Sequence, residues 1–209
     1  MMIDESESQQ KSNVWAATAD VTTLRQQMLD LLCQLAYQEG DFVLSSGQSS
    51  SYYINGKQVT LHPQGALAIG RIFLSQLPTG TQAVAGLTLG ADPMVTAVSV
   101  VSAYENRPIP ALIVRKESKG YGTKAYIEGP SLPANASVVV LEDVVTTGQS
   151  ALKAVERLRE AGYSVNHVMA LVDRQQGGAQ LYDSAGLKFQ SVFTISEIQE
   201  RFRQLGTRD

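Results

Sequence analysis

The sequence predicts an α/β protein: a central, mostly parallel sheet flanked by helices, with a small N-terminal hood or lid. Three observations carry this. From about residue 83 onward, apolar runs of strand length alternate with segments of helical periodicity, the order that right-handed βαβ crossovers produce. The run Val138, Val139, Val140, Leu141 has no polar alternation, which marks a strand covered on both faces. A chain of 209 residues, 44% hydrophobic and 18% charged, is long enough to bury the core of a single domain.

Taken in order, residues 1 to about 20 are expected to form a loosely ordered extension, with Val14 and Trp15 able to dock on the body. Residues 21–209 are expected to form one domain, with the hood at about 21–60 and the core at about 61–209. From Thr22, TTLRQQMLDLLCQLAYQEG reads as a helix: Leu24, Met28, Leu31, Leu32 and Leu35 recur at helical spacing, and Gly40 stops it. FVLSSGQSSSYYINGKQV reads as two short strands around a Ser/Gly turn, and LHPQGALAIGRIFLSQL as a helix starting near Pro63. Strand AVAGLTLG then leads to helix ADPMVTAVSVVSAYE, and strand IPALIVRK to the charged loop ESKGYGTKAYIEG. Strand SVVVLED leads to helix GQSALKAVERLREAG, strand HVMALVD to the loop RQQGG and a short helix, and strand FQSVFTI to the terminal helix SEIQERFRQL.

Composition narrows the function. The net charge of −3 gives no reason to expect nucleic-acid binding, so any basic chemistry is local. No stretch approaches the ~18 apolar residues of a membrane span. The N-terminal MMIDESESQQKSN has no apolar core and is not expected to act as a signal peptide. A cytoplasmic protein with no nucleic-acid or membrane partner is expected. Cys33 is the one cysteine, which excludes an intrachain disulfide, and it is expected to be an inert thiol in a helix. His62 and His167 stand apart in the sequence, against a Cys/His zinc site.

The most informative segment is VVVLEDVVTTGQS, Val138 to Ser150. An apolar strand runs into two adjacent carboxylates, Glu142 and Asp143. A turn rich in hydroxyls and small residues follows, and then a helix. Free backbone N–H groups and hydroxyls at the positive end of a helix dipole suit a phosphate. Acids at the carboxyl end of a parallel strand sit where open α/β sheets bind ligands. The implied ligand has a phosphate and, a few Å away, hydroxyls or a metal that want carboxylates. Neither G-x-x-x-x-G-K-[ST] nor G-x-G-x-x-G occurs in this turn.

A second signal is the loop after IPALIVRK, where Arg115, Lys116, Lys119 and Lys124 are interleaved with Gly120 and Gly122 and opposed by Glu117 and Glu128. Clustered cations on a glycine-bearing loop suit a polyanion and the charge that grows on it as it leaves. A third is GLTLGADPM, which places backbone amides at the sheet's carboxyl edge. A fourth is Arg174, at the end of strand HVMALVD, placed either to pair with a substrate carboxylate or with Asp173 or another local acid.

The thirteen residues Val138–Ser150 resemble the phosphoribosyl-diphosphate (PRPP) signature of the type I phosphoribosyltransferases, and RKESKGYGTKAYIEG resembles the catalytic loop of the orotate branch of that family. With FVLSSGQSSSYYINGK and LVDRQQGG, the resemblance runs from about residue 22 to 205. It implies the type I phosphoribosyltransferase fold, a homodimer with shared active sites, and a reaction of orotate with PRPP that gives orotidine 5′-phosphate and diphosphate. It implies Mg²⁺ carried with PRPP, with no metal ligand assigned directly on the chain. Glu142 and Asp143 would hold the ribose hydroxyls, the turn Thr146, Thr147, Gly148, Gln149 and Ser150 would hold the 5′-phosphate, and Val144 and Val145 would also belong to the PRPP site. Arg115, Lys116, Lys119 and Tyr121 would reach PRPP in the neighbouring subunit, with Arg115, Lys116 and Lys119 catalytic. Orotate would meet Tyr53, Ile54, Thr146 and Arg174.

Several positions depart from the family pattern. Glu142 stands where the first acid is usually Asp, and Tyr121 where the loop usually has His. Ser45, and Leu89 with Gly90, stand where some members carry Lys, while Lys57 offers a charge from another direction. Two other readings share the PRPP turn: a phosphoribosyltransferase for another base, and a non-catalytic PRPP-sensing regulator. The first has no need of Arg174 or the lysine-rich loop. The second, if it bound nucleic acid, would show a basic face. Lys119→Ala is expected to lower turnover by several orders of magnitude, since removing one charge-stabilising donor commonly costs ~10²- to 10³-fold. Steady-state kinetics beside a circular dichroism spectrum checks this, and full activity would take the loop out of the mechanism.

Overall fold

The structure, a computed structural model, describes residues 14–43, 49–118 and 126–206. Ser45 and the loop residues Lys119, Gly120, Tyr121, Gly122 and Lys124 lie outside them. Near the N-terminus, the short helix α1 (Trp15–Thr18) lies on the body with Ala16 fully buried. The Arg71 guanidinium donates to the Ala16 carbonyl at 2.9 Å, which fixes it there. Helix α2 (Val21–Leu31) starts at Asp20, whose carboxylate accepts from the Thr22 and Thr23 amides, satisfying two of the donors a helix start leaves free.

The helix expected to continue to Gly40 ends earlier. A π-helical turn follows at Leu32–Ala36, and strand β1 (Tyr37–Val43) begins at Tyr37. The wider turn keeps Leu32, Cys33 and Ala36 on the core but leaves Leu35 40% exposed, off the apolar face assigned to it. Tyr37 is extended because it pairs with Ile54 of strand β2 (Ser49–Ile54). Gly40 is no helix stop. It adopts φ +153° at the bulge between Glu39 and Phe42 of the β1–β2 hairpin. Burial pushes the Cys33 thiol up to about 11, so it stays protonated and unreactive.

Helices α3 (Lys57–Thr60) and α4 (Pro63–Gln76) lead into the core, with the His62 imidazole capping α4 by accepting from the Gly65 amide. The remaining elements are β3 (Ala83–Leu87), α5 (Asp92–Tyr104), β4 (Ala111–Val114), β5 (Ile127–Glu128), β6 (Ser137–Val145) and α6 (Gln149–Glu160). They end with β7 (Ser164–Asp173), α7 (Gly178–Ser184), β8 (Lys188–Thr194) and α8 (Ile195–Gly206). The sheet order is β5-β4-β3-β6-β7-β8, parallel throughout except for β5, an antiparallel edge strand inside the segment read as a loop.

Side chains on β6 alternate between the sheet's two faces. Val139 and Leu141 join the core beneath α2, α4, α5 and α8, while Val138 and Val140 join the core beneath α6 and α7. A strand covered on both faces has no place for polar alternation, which is why the sequence shows none.

The hood is tied to the C-terminal helix. The Arg201 guanidinium grips the Asp30 carboxylate through both oxygens at 2.6 and 3.0 Å, Arg25 pairs with Glu197, and the Phe202 ring meets Tyr37 edge-on at 5.0 Å.

Candidate active site

Strand order decides where a ligand can enter. From β3 the chain moves outward to β4; from β6 it moves the other way, to β7 and β8. The neighbours β3 and β6 therefore flank the point where the topology switches, and their following loops separate to opposite faces, leaving a crevice. A cleft of about 380 Å³ opens at that carboxyl edge. On one side are Leu87–Gly90 after β3; on the other are Glu142–Val144, Thr146 and Ser150 of β6 and its turn. Arg174 closes one end from β7, Lys116 another from β4, and the hood supplies Tyr53, Ile54 and Lys57.

The two acids lie within β6, which runs two residues past the expected end, so the pleat turns them apart. Asp143 faces the hood and the β3 loop. A Cβ on Gly90 would lie 2.6 Å from its Oδ1, so the loop backbone can come this close only without a side chain. Glu142 faces Tyr182 on α7 and shares with it a second, smaller cavity under the turn. Its Oε2 is buried with no hydrogen-bond partner among the described residues. Burial first, and the neighbouring Asp143 second, hold its carboxyl well above the usual range.

That smaller cavity is lined by the remaining signature residues, Val145, Thr147, Gly148 and Gln149. Gly148 caps α6 at φ +85°, the left-handed region, which aims the first amides of the helix at the cavity. A Cβ there would also lie 2.9 Å from the Tyr182 ring. Tyr182 is fully buried, and its hydroxyl has no partner among the described residues. Burial, with Glu142 and Asp173 nearby, raises its pKa, so it stays a neutral donor. Sequence reasoning missed Tyr182, because only the parallel pairing of β6 with β7 brings α7 under the turn.

Among the described residues Arg174 makes no ion pair with Asp173 or any other acid. Asp173 turns its Oδ1 to the Gln175 amide at 2.8 Å instead. Arg174 Nε donates to the Tyr52 hydroxyl at 3.1 Å, while its Nη2 is buried without a partner among the described residues. Lys116 faces the cleft of its own chain, whereas Arg115 does not line it and pairs with Glu128 at 3.2 Å. A further residue that sequence gave no sign of is Arg157, one turn from the end of α6. It donates to the carbonyls of Arg115 and, at 2.9 Å, Lys116, and lies over the Tyr126 ring at 4.0 Å. One side chain thus holds both ends of the segment that carries the cationic loop.

The parts add up to a chemistry. A small-residue turn at a helix start, two carboxylates and a cation at a strand exit are arranged around one crevice, a donor set with the chemistry that a phosphoribosyl ligand calls for. The Phosphoribosyl transferase domain family matches residues 55–200. An orotate phosphoribosyltransferase of Nostoc sp. is 76% identical over 205 residues, 98% of this chain and all of that one. A crystal structure of orotate phosphoribosyltransferase from Mycobacterium tuberculosis H37Rv superposes with a TM-score of 0.76 at 36% identity, covering 84% of this chain and 98% of that one. A structure of the same enzyme with PRPP gives 0.71 at 34% identity, covering 84% and 99%. This chain belongs to the phosphoribosyltransferases and, within them, to the orotate phosphoribosyltransferases.

The raised Glu142 carboxyl makes a prediction. The folded chain holds this proton more tightly than the unfolded one. Its contribution to stability is therefore full below the ordinary value of 4.5 and is lost as pH rises through the higher folded value. Glu142→Gln keeps the shape but cannot ionise. In thermal melts the variant is expected to match the wild type in acid, to exceed its Tm at higher pH, and to bind PRPP more weakly throughout. A Tm difference that does not change with pH would sink this account.

Proposed function

We propose that this protein transfers the 5-phosphoribosyl group of PRPP to orotate, giving orotidine 5′-phosphate and diphosphate, in de novo pyrimidine synthesis. The observation that carries the choice of base is Arg174: a buried guanidinium with one nitrogen unpartnered among the described residues, at the edge of the cleft that holds the acids and phosphate turn. A buried cation without a counter-charge is costly, and orotate's carboxylate supplies the charge that bases such as uracil or adenine lack.

The turn Thr146–Ser150 binds the 5′-phosphate, far from the reacting carbon, so that its binding energy goes into orientation. Glu142 and Asp143 hold the ribose hydroxyls. With the ring fixed at both ends, orotate N1 bonds to the anomeric carbon as the bond to the diphosphate oxygen breaks. The diphosphate leaves with that electron pair, N1 loses its proton, and positive charge builds on the ribose ring between. Lys116, with Arg115 and Lys119, stabilises the departing charge. The orphaned Glu142 Oε2, beside Asp143, fits a cation or hydroxyl partner, and Mg²⁺ arriving with PRPP would lie near this pair. Mg²⁺ supplies neutralisation of the diphosphate. No helix among the described residues is long and apolar enough to cross a membrane, and we place the enzyme in the cytoplasm.

We also propose a homodimer with shared sites. Arg115 lies outside its own chain's cleft, and an apolar groove between the end of α3, α4 and α5 exposes Leu61 and Val100 at 68% and 55%, a surface suited to a second copy. An absorbance assay with orotate, PRPP and Mg²⁺, beside uracil, adenine and hypoxanthine, tests the reaction; turnover with another base and not orotate would refute it. Subunit mixing tests the sharing. Lys119→Ala and Asp143→Asn are each expected to be inactive alone. After random exchange about half the dimers are mixed, each with one intact site, so roughly a quarter of wild-type activity is expected to return. No recovery despite exchange would mean that each loop serves its own chain.

A further inference from the structure

Tyr52 has no place in the reaction as described and does not line the cleft. Its neighbour Tyr53 does. Strand alternation turns Tyr52 the other way, into the body, where it meets Arg174 twice. Its hydroxyl accepts from Arg174 Nε at 3.1 Å and, more weakly, from Gln176 Nε2 at 3.5 Å, and its ring lies 4.8 Å from the guanidinium carbon. Behind it, the Tyr37 ring stacks at 5.9 Å, and Phe202 of α8 packs against Tyr37 in turn. A column of three rings thus backs one cation, and the cation keeps Nη2 unbonded among the described residues.

We infer that Tyr52 is a positioning residue that sets the protein's selectivity for a carboxylate-bearing base, acting through Arg174. This rests on the reading of Arg174 as the carboxylate's partner. Arginine is long and has several free rotors, and a two-pronged grip on a carboxylate works only if the guanidinium plane is already fixed. Tyr52 fixes it at Nε and over its face, leaving Nη2 without a bond among the described residues. The choice of a phenol matters. An acid at this place would hold the arginine equally well but would cancel its charge and compete with the substrate. A neutral acceptor orients the cation and leaves the charge available. The turning of Asp173 toward the Gln175 amide, away from its neighbour, serves the same end.

The test compares orotate with its neutral carboxamide. Tyr52→Phe keeps the ring and removes only the hydroxyl; Tyr52→Leu removes both; Arg174→Ala is the reference. Each full-length protein is assayed with PRPP and Mg²⁺ for its KM or inhibition constant with both compounds, and for its KM for PRPP. Tyr52→Phe is expected to weaken orotate about tenfold, as for the loss of one hydrogen bond to a charged group, with the carboxamide and PRPP constants almost unchanged. Tyr52→Leu should lose more of the preference. Equal weakening of both compounds, or a parallel change for PRPP, would mean a merely structural role and would overturn the inference. If Arg174→Ala abolishes the preference for orotate and Tyr52→Phe leaves it intact, only the role of Tyr52 falls. If Arg174→Ala leaves it intact, the carboxylate reading falls and the inference with it.

Discussion

The site depends on one constraint: β6 is paired in parallel on both sides, to β3 and to β7. Parallel pairing brings all three carboxyl ends to one edge, and the reversal of strand order opens that edge between β3 and β6. Lys116 from β4 and the hood residues apart, the polar groups of the cleft are delivered by this arrangement. The acids come from the paired part of β6, the phosphate turn from its end, Arg174 from the end of β7 and the glycine-bearing loop from the end of β3. The Arg174 amide also donates to the Val145 carbonyl at 2.9 Å, so the ladder continues to the residue at the site itself. A slip of one residue between β6 and β7 would exchange the faces of Glu142 and Asp143 and part Arg174 from the turn.

The edge so formed holds polar atoms that the folded chain does not satisfy. Glu142 Oε2, Arg174 Nη2 and the Tyr182 hydroxyl are all buried without partners among the described residues, and Asp92 Oδ1 at the start of α5 is a fourth. Each costs free energy in the absence of ligand, on the order of 1–3 kcal/mol for a neutral group and more for a charged one. Elsewhere, buried Ser102 is satisfied, its hydroxyl bonding the Ser99 carbonyl and accepting from the Ile109 amide. Unpaired buried groups thus gather at this edge, where a ligand can meet them, with Gln27 Oε1 and Thr60 Oγ1 the two such atoms elsewhere among the described residues.

Local chemistry was legible in the sequence, and distant contact was not. The apolar run into Glu142 and Asp143, the small-residue turn and the helix behind it each follow from residues adjacent in the chain. So does the placement of Arg174 at a strand end. Tyr52, Tyr182 and Arg157 escaped because their partners are 122, 34 and 41 or more residues away in sequence, at Arg174, Gly148 and the Arg115–Lys116 pair. The misplaced end of α2 has the same origin. Leu32, Cys33 and Ala36 continue an apolar pattern that looks helical, and Tyr37 leaves the helix because Ile54 is waiting to pair with it. The two-residue β5 was invisible for a related reason: among the described residues it pairs with β4 alone, across the cationic loop.

Arg157 has a consequence for how this family can vary. By bonding the carbonyls of Arg115 and Lys116 and covering the Tyr126 ring, it fastens the two stems of the intervening segment to helix α6. The span between those stems is also fixed directly, by the β4–β5 pairing and by the Arg115 amide donating to the Tyr126 carbonyl at 2.7 Å. Lengthening that stretch therefore adds mainly closure entropy, about 0.6 kcal/mol for each doubling. Changes of length there are cheap as long as the β4–β5 pairing and the arginine of α6 keep the two stems in place, which leaves the length of the loop free to diverge while its points of attachment stay fixed.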